Sequence, residues 1–580
     1  MSVVLSEEQR IYVQTSGKVI LNACPGSGKT TTVAHKLFSL TQNWDNDNLP
    51  KAGIICISFT NVAKNEISEK FKEISGFSLP YPHLISTIDS FINSYITLPF
   101  AHKIKNIDRR YRIIDDNRYL DNIFLSDWQL KKNYSDKLYR FAPSLIDYTI
   151  DGGITWKGFD KSGDEDFVKY AKIIKKKQFD FGLLKTSDSA FFAYHILKKY
   201  PRIAKYLATK FPYIIIDEAQ DTSEIQHSII EMLFEQGLKN IDLVGDPYQC
   251  LYQWRNASPE LFLKKFDDKS NWNGINLSEN RRSTKKIIDI FCVLRRSSEK
   301  AIVPINDNAD DLPLHIIKYD SADYTQAISK YEELCNNKGF TSNSILVRGN
   351  TLKNSLLGKE KNYSPWQDSL PFLLVESKIH LQSNEVKEAV KKIRRVIIGL
   401  LVPHISFEDL KEKEQEVKND KQINSLIFNL IRGLPSFDLP ITEWTTKTQK
   451  YLKAVLELDN EPDFKIRKRN ASGFDKTTLN NQVNKYFKKA TTDNNLPIST
   501  IHQVKGMTFD SVFLLLSEDS TGQNISLKDF ILKKDDMPTE KQRLIYVALS
   551  RPRHLLCIGV PKSISDSDLK EQFSDDIIIL

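Results

Sequence analysis

Two short strings carry most of the chemistry in this chain. The first is Ala23-Cys24-Pro25-Gly26-Ser27-Gly28-Lys29-Thr30. It follows an apolar run, Val19-Ile20-Leu21, and precedes a helix-like segment, Thr31-Thr32-Val33-Ala34-His35-Lys36-Leu37. Strand, glycine-rich turn, Lys-Thr and helix make the context that a phosphate-binding P-loop requires. Backbone N–H groups of such a turn, with the following helix N-terminus, cradle phosphate oxygens. Lys29 would reach the β- and γ-phosphates, and the Thr30 hydroxyl would bind Mg²⁺. Ala23 stands where the pattern usually has its first glycine. The second string is Ile214-Ile215-Ile216-Asp217-Glu218-Ala219-Gln220-Asp221. A strand ending in paired carboxylates suits the other half of such a site. Asp217 would hold Mg²⁺, and Glu218 would orient and deprotonate the attacking water.

These residues need a rigid sheet to present them. Apolar runs at Val19-Leu21, Gly53-Ile57, Tyr213-Ile216, Ile241-Val244, Ile345-Val347, Val512-Leu516 and Leu555-Gly559 read as buried parallel strands. Helical patterns lie between them, so α/β layers are expected. The runs fall into two groups, before about residue 280 and after about residue 340, which predicts two α/β cores. At roughly 100–200 residues per domain, a chain of 580 residues holds about three to five domains. Two stretches without such runs, about 95–190 and 351–494, read as mainly helical insertions. Within the second, Glu385–Ile397 has the pattern of an amphipathic helix with a basic face.

Composition narrows the function classes. Hydrophobic residues make up 40% and aromatics 10%, enough for several cores and against wholesale disorder. No apolar run reaches the length of a transmembrane helix. The six cysteines form no CxxC pair, which argues against zinc, iron–sulfur and disulfide frameworks. A cytoplasmic, reducing location is the expectation. The net charge of +8 is compatible with binding phosphates.

The order of further strings resembles the UvrD/Rep/PcrA type of superfamily 1 helicase. Leu5–Arg10 resembles that family's Q motif, Ser58–Ala63 its motif Ia, and Ser86–Phe91 the motif after it. Asp217–Gln226 is similar to motif II, Val244–Arg255 to motif III and Leu277–Thr284 to motif IV. Ile498–Asp510 resembles motif V, and Arg543–Arg551 motif VI. Eight such strings beside the P-loop, in the family's order, make the resemblance specific.

The resemblance implies two RecA-like P-loop cores with ATP between them, each with a mainly helical insertion. The first core would span 1–95 and 190–280, the second 281–350 and 495–580. The insertions would be 96–189 and 351–494. ATP contacts would come from Gln9, which reads adenine, from Ala23 to Thr31, and from Arg281, Arg282, Thr508 and Arg551. Gln249 would sense the γ-phosphate, and Arg282 and Arg551 would act as arginine fingers. That fits the need of phosphoryl transfer for positive charge at the transition state. Three positions depart from the family. Arg281 stands where an aromatic often stacks on adenine, Thr31 where an arginine often stacks from the other side, and Thr508 where a glutamate often binds ribose. Arg281 could lie flat on the base.

On the strand side, Phe59, Thr60, Asn61, Thr87, Phe91, Tyr252, Trp254 and Arg255 of the first core would contact single-stranded DNA. Arg348, Asn350, Thr500 and His502 would do so from the second. Base–aromatic stacking plus phosphate contacts is the usual grip on a single strand. Two basic runs, Lys172–Lys177 and the helix around Lys391–Arg395, are weaker candidates for backbone contacts. The expected function is ATP-driven translocation and unwinding of DNA, 3′→5′ by resemblance, on single strands and tailed duplexes. The alternative is an ATP-gated DNA sensor that licenses a partner nuclease. Compact helicases of this type occur in that setting beside the OLD-family nucleases of Gabija-type phage defence.

Overall fold

The computed structural model describes residues 4–44, 51–105, 107, 110–114, 120, 142–156, 159–251, 257–305, 311–320, 323–357, 365–367, 369–382, 385–401, 416–466, 479–484, 496–520, 522, 524–531 and 536–580. The chain forms two compact units. One comprises Met1–Arg348 with Ser499–Leu580, the other Gly349–Ile498.

The larger unit is built on two six-stranded sheets. In the first, the spatial order is Asn273–Leu277, Lys18–Ala23, Asn240–Gly245, Tyr213–Ile216, Ile54–Ser58, Leu84–Thr87, and every neighbouring pair is parallel. The continuous apolar runs arise because both faces are covered. Ile20, Ile55, Ile214, Ile216 and Leu243 enter one cluster with Phe91, Ile196, Leu233 and Phe262. The residues between them, Val19, Leu21, Ile54, Cys56, Ile215 and Val244, enter a second with Tyr12, Val33, Leu37 and Phe71. The chain leaves Lys18–Ala23 toward one edge of the sheet and leaves the adjacent Asn240–Gly245 toward the other. Open α/β sheets bind ligands at the carboxyl ends of strands at such a switch point.

The second sheet runs Ile498–Thr500, Asn343–Val347, Phe509–Leu515, Pro552–Pro561, Leu314–Tyr319, Ile577–Ile579. Its core contains Ile316, Leu346, Leu514, Leu556 and Ile558 with Phe291, Leu544 and Tyr546. Cys24, Tyr248 and Leu251 of the first core join the same cluster. Apolar packing is therefore continuous from one core to the other. Among the described residues, no helix is long and apolar enough to cross a membrane.

A polar node lies inside the first core. Lys36 and Asp242 are both fully buried and 2.8 Å apart. The Lys36 ammonium also donates to the carbonyls of Tyr12 and Thr15, at 3.0 and 2.6 Å. The Tyr12 and Tyr213 hydroxyls donate to the Asp242 carboxylate at 2.9 and 3.1 Å. A buried pair is tolerable only when its remaining hydrogen-bonding capacity is filled, as here. The node ties helix Glu7–Gln14, which carries Gln9, to the helix that follows the P-loop.

The first insertion is mainly helical in its described residues and also carries short strands that the sequence did not announce. Its described residues include helix Glu165–Asp180, but also an antiparallel sheet of Ile146–Tyr148, Ile154–Trp156 and Phe159–Asp160. The first two strands meet at a turn closed by Thr149 N–H to Gly153 O at 3.0 Å, with Gly152 at φ 87°. Strands of two or three residues are too short for a period-2 signal. The Gly152-Gly153 pair was the readable mark of the turn. The basic run Lys172–Lys177 lies on this helix, and Lys175 is not available to DNA. It is buried and bonded to Asp188 at 2.6 Å.

The smaller unit is helical in its described residues. Helices Leu370–Gln382, Val386–Leu401, Lys421–Arg432 and Ile441–Val455 surround Trp366, Ile393, Val396, Leu430 and Trp444. The helix Val386–Leu401 buries Ala389, Ile393 and Val396, as its period required. Part of its basic face is internally paired, Lys392 with Glu376 at 2.7 Å and Arg394 with Asn424 at 2.7 Å.

Candidate nucleotide site and strand surface

The turn after Lys18–Ala23 is held on several sides. Cys24 N–H donates to Leu277 O at 3.0 Å, and Ser27 N–H to Cys24 O at 3.3 Å. Gly26 (φ 72°) and Gly28 (φ 76°) both occupy the left-handed region that favours glycine. At Gly26 a Cβ would also come within 2.7 Å of Arg282 Cβ and 2.8 Å of Asn280 Oδ1. The Arg281 N–H donates to Gly26 O at 3.0 Å. The P-loop thus lies directly against the Leu277–Thr284 string. Pro25 and Ser27 are buried, Thr30 and Thr31 half-buried, and Lys29 opens the helix Lys29–Gln42.

Lys29 sits among carboxylates. Its ammonium hydrogen-bonds Glu218 and lies 3.7 Å from Asp217. Burial alone would lower the Lys29 pKa, but Glu218 and Asp217 outweigh it and raise it. Glu218 follows strand Tyr213–Ile216 and has φ 55°, a left-handed conformation unusual for a non-glycine residue. Gln220 Nε2 donates to it at 2.5 Å, and Lys505 lies 3.5 Å away. Burial pushes the Glu218 pKa up, yet Lys29 and Lys505 pull it well below the carboxylate range. Asp217 goes the other way, because burial outweighs the nearby ammonium. Its Oδ1 is buried and accepts no hydrogen bond. A buried carboxylate oxygen without a donor at the P-loop fits Mg²⁺. That ion is usually held by one or two protein oxygens, phosphates and water.

The second core closes on this site. Arg551 is buried, 1% exposed. Its Nε donates to Val547 O at 2.9 Å and its Nη2 to Gln249 Oε1 at 2.9 Å. Gln249 in turn donates to Asp246 at 2.8 Å. Burial and the adjacent Arg282 pull Arg551 down to about 9. Arg282 donates to Ser550 O at 2.9 Å and is lowered to about 10 by burial and Arg553. Both stay charged at neutral pH, so this edge of the cleft is cationic. Residues 281–282 and 551 therefore meet the P-loop and Gln249.

Two nucleotide-side expectations, those for Gln9 and Arg281, meet contacts within the chain. The Gln9 amide is committed to the chain: its Oε1 accepts from Ser6 N–H at 2.9 Å and its Nε2 donates to Ser27 O at 3.0 Å. It braces the P-loop because the capping box of its helix uses the same side chain. Arg281 is exposed and paired with Glu279 at 2.8 Å, so its guanidinium does not lie free for a base. Thr508 is half-buried at the start of strand Phe509–Leu515.

The strand-side residues sit at the carboxyl ends of two adjacent strands in each core. Phe59 and Thr60 follow Ile54–Ser58, and Thr87 ends Leu84–Thr87. Arg348 follows Asn343–Val347, and Thr500 ends Ile498–Thr500 with His502 just after it. Asn61 is exposed; Phe59 is half-buried and packs on the core. Thr60 and Thr87 are helix N-caps, accepting from Ala63 and Ser90 N–H. Thr500 is buried and caps the turn Ile501–Val504. His502 is half-buried, its pKa lowered by burial and Arg348. Arg348 lies 3.7 Å from Glu540. Asn350 is exposed and opens helix Asn350–Leu356 in the smaller unit. Phe91 is a correction: it is 3% exposed and packs edge-on against Phe211 at 6.1 Å, so it is a core residue. Its motif string places it one helical turn past Thr87, on the inward face. Tyr252, Trp254 and Arg255 lie outside the described residues.

Sequence reasoning missed Lys505, whose ammonium bonds Asp221 and faces Glu218. It stood in view inside the Ile498–Asp510 string, but a lysine there has no partner in sequence. The partners, Asp221 and Glu218, belong to the other core.

Residues 5–270 match the UvrD/REP helicase N-terminal domain family, and residues 406–563 the UvrD-like helicase C-terminal domain family. The chain belongs to the UvrD-like helicases. It is an ATP-dependent DNA helicase. Similarity to curated helicases runs nearly end to end. A probable DNA helicase II homolog of Mycoplasma capricolum is 23% identical, over 98% of this chain and 86% of its own. The ATP-dependent DNA helicase PcrA of Staphylococcus aureus is 23% identical, over 95% and 82%. That of Staphylococcus epidermidis is 24% identical over the same shares. In this helicase Lys29, Asp217, Glu218 and Gln249 of the first core thus lie against Lys505 and Arg551 of the second.

Proposed function

We propose that the helicase moves along single-stranded DNA in the 3′→5′ direction, driven by ATP bound between its two cores, and unwinds tailed duplexes. The polarity rests on the family resemblance; the observation that carries the coupling of ATP use to DNA is the string Ile498–Asp510. His502, at the strand-side edge, and Lys505, beside Glu218, lie three residues apart on one short turn. A shift of that turn on the strand side must move a cation beside the catalytic carboxylate. That is a direct physical route for DNA to influence hydrolysis.

Each residue has a role in that reading. The P-loop N–H groups and Lys29 bind the phosphates, which requires Lys29 to leave Glu218 for the incoming oxygens. Freed from that pair, Glu218 accepts the proton of the attacking water. Thr30 and Asp217 would hold Mg²⁺, which neutralises phosphate charge when bound. Arg282 and Arg551 donate to oxygens that gain charge in the transition state, and Gln249 links Arg551 to Asp246 and the first core. ATP closes the cleft and hydrolysis reopens it, so that grip on the strand alternates between the Phe59–Asn61 and Arg348–His502 sides.

Strand displacement on 3′-tailed and 5′-tailed duplexes tests the reading. Unwinding from the 3′ tail alone is expected. Unwinding only from a 5′ tail overturns the polarity. DNA-stimulated ATPase without any unwinding favours a DNA-sensing subunit that acts through a partner nuclease.

A further inference from the structure

Residues 293–300 form the turn between helix Lys285–Cys292 and strand Val303–Pro304. The helix is buried in the second core through Ile287, Ile288 and Phe291. The turn, however, faces the first core. The Glu299 side chain is 3% exposed. Its Oε2 accepts from Asn22 Nδ2 at 2.9 Å. Its Oε1 accepts from the Tyr248 hydroxyl at 3.0 Å and from the Arg296 guanidinium at 2.9 Å. Arg295 stands 3.6 Å from the same carboxylate, with its guanidinium 5.5 Å from the centre of the Tyr248 ring. The Tyr248 hydroxyl also accepts from Arg296 N–H at 3.3 Å. Beside this hub, Lys300 pairs with Glu8 at 2.6 Å, and Glu8 accepts from Ser278 N–H and Oγ, both at 2.7 Å.

The identity of the two first-core donors matters. Asn22 is next to Ala23, where the P-loop begins, and Tyr248 is next to Gln249, which holds Arg551. One buried carboxylate of the second core therefore grips both the strand that delivers the P-loop and the turn that delivers Gln249. A buried carboxylate is costly unless its donors stay in place. Separating the cores would strip Glu299 of Asn22 and Tyr248 together and leave it with the arginines of its own turn. The contact therefore favours the docked arrangement of the cores. Glu299 lies between the two stretches that match the family, 5–270 and 406–563.

We propose that Glu299 is a positioning residue for ATP use, holding the cores docked so that ATP meets the P-loop and the second-core arginines together. The proposal rests on ATP binding between the cores. It makes a kinetic signature that a purely structural role does not. When only a fraction of molecules is docked, apparent affinity falls by that fraction, while saturating ATP restores the docked state. Loss of Glu299 should then raise KM and spare kcat.

The test is DNA-stimulated ATPase of the full chain carrying Glu299→Ala or Glu299→Gln, with thermal melts and calorimetric ATP binding alongside. For Glu299→Ala, KM for ATP should rise about tenfold or more, the scale of one charge-assisted hydrogen bond, with kcat within about twofold. Glu299→Gln keeps an acceptor oxygen and should fall between. If Glu299→Ala does not fold, Glu299→Gln and Tyr248→Phe carry the same KM comparison. Unchanged KM in the folded variants overturns the proposal. So does lower kcat with a lower melting temperature at unchanged KM, which marks mere structural support. Wild-type chain that binds ATP without DNA stimulation counts against the function proposed above; calorimetric affinities of the same variants then decide the role of Glu299.

Discussion

Replacing Arg551 by lysine keeps the positive charge at the cleft and removes the planar fork. The fork is what the structure uses: Nε holds Val547 O, and Nη2 spans Gln249 Oε1 and Ser550 Oγ, each at 2.9 Å. A lysine ammonium is a point charge that cannot fill these places and also face a phosphate. Two variants separate charge from geometry. Arg551→Ala removes both, and an arginine finger contributes about 10³–10⁵ in kcat, or about 4–7 kcal/mol of transition-state stabilisation. Arg551→Lys forfeits about one charge-assisted hydrogen bond, about 1.5–3 kcal/mol, which is about 10- to 150-fold in kcat. The assay is phosphate release at saturating ATP and single-stranded DNA. ATP binding and melting are followed separately, because Arg551 is buried and its backbone partners would lose their donor. The expected order is wild type, then lysine, then alanine, with ATP affinity changing far less than kcat. A lysine variant within about twofold of wild type would refute the fork argument. An alanine variant losing less than about tenfold would remove Arg551 from the chemistry.

Three further outcomes follow from the same geometry. Glu218→Gln keeps the shape and loses the base, so hydrolysis should fall by about 10²-fold or more while ATP still binds; unaffected single-turnover hydrolysis would assign the water to another residue. Burial raises the Asp217 pKa, so a proton stays on it to higher pH than on an exposed aspartate and competes with Mg²⁺ as pH falls. The half-saturating Mg²⁺ concentration for ATPase should accordingly rise from about pH 8 toward about pH 6, and a flat response would contradict that. Phe91→Ala should cost about 3–5 kcal/mol of stability, as for a buried aromatic, seen as a lower melting temperature. Single-strand affinity of the folded fraction should be unchanged, and a selective loss of affinity would return Phe91 to the strand surface.

The chemistry-bearing strings were legible because each is local. A P-loop needs its glycines, lysine and threonine at fixed spacing on one turn, so Gly26, Gly28, Lys29 and Thr30 can be read without a fold. The interior strands were legible for a similar reason: a strand covered on both faces must be apolar at successive positions, as Ile54–Ser58 and Tyr213–Ile216 are. Of the five sheet strands that no apolar run announced, four are the sheet edges: Leu84–Thr87, Asn273–Leu277, Ile498–Thr500 and Ile577–Ile579. An edge strand has one neighbour and more solvent, so polar residues such as Asn273 and Asn276 interrupt the pattern.

What tertiary structure alone decided is the pairing of residues far apart in sequence. Phe91 and Phe59 sit in equally good motif strings, and only packing shows that one is buried and the other half-buried. Gln9 looks like a free amide until the fold brings Ser27 to it. Lys505, 284 residues from Asp221, and Glu299, 277 residues from Asn22, show no local pattern at all. Their energetics come from desolvation and donor placement, which exist only once two cores have come together. The sequence by itself thus determined the parts of each half-site. Only the docking of the two sheets decided which cations neutralise Glu218, where Arg551 points and what holds the cleft in register, because a buried charge takes its meaning from neighbours that the chain supplies from elsewhere.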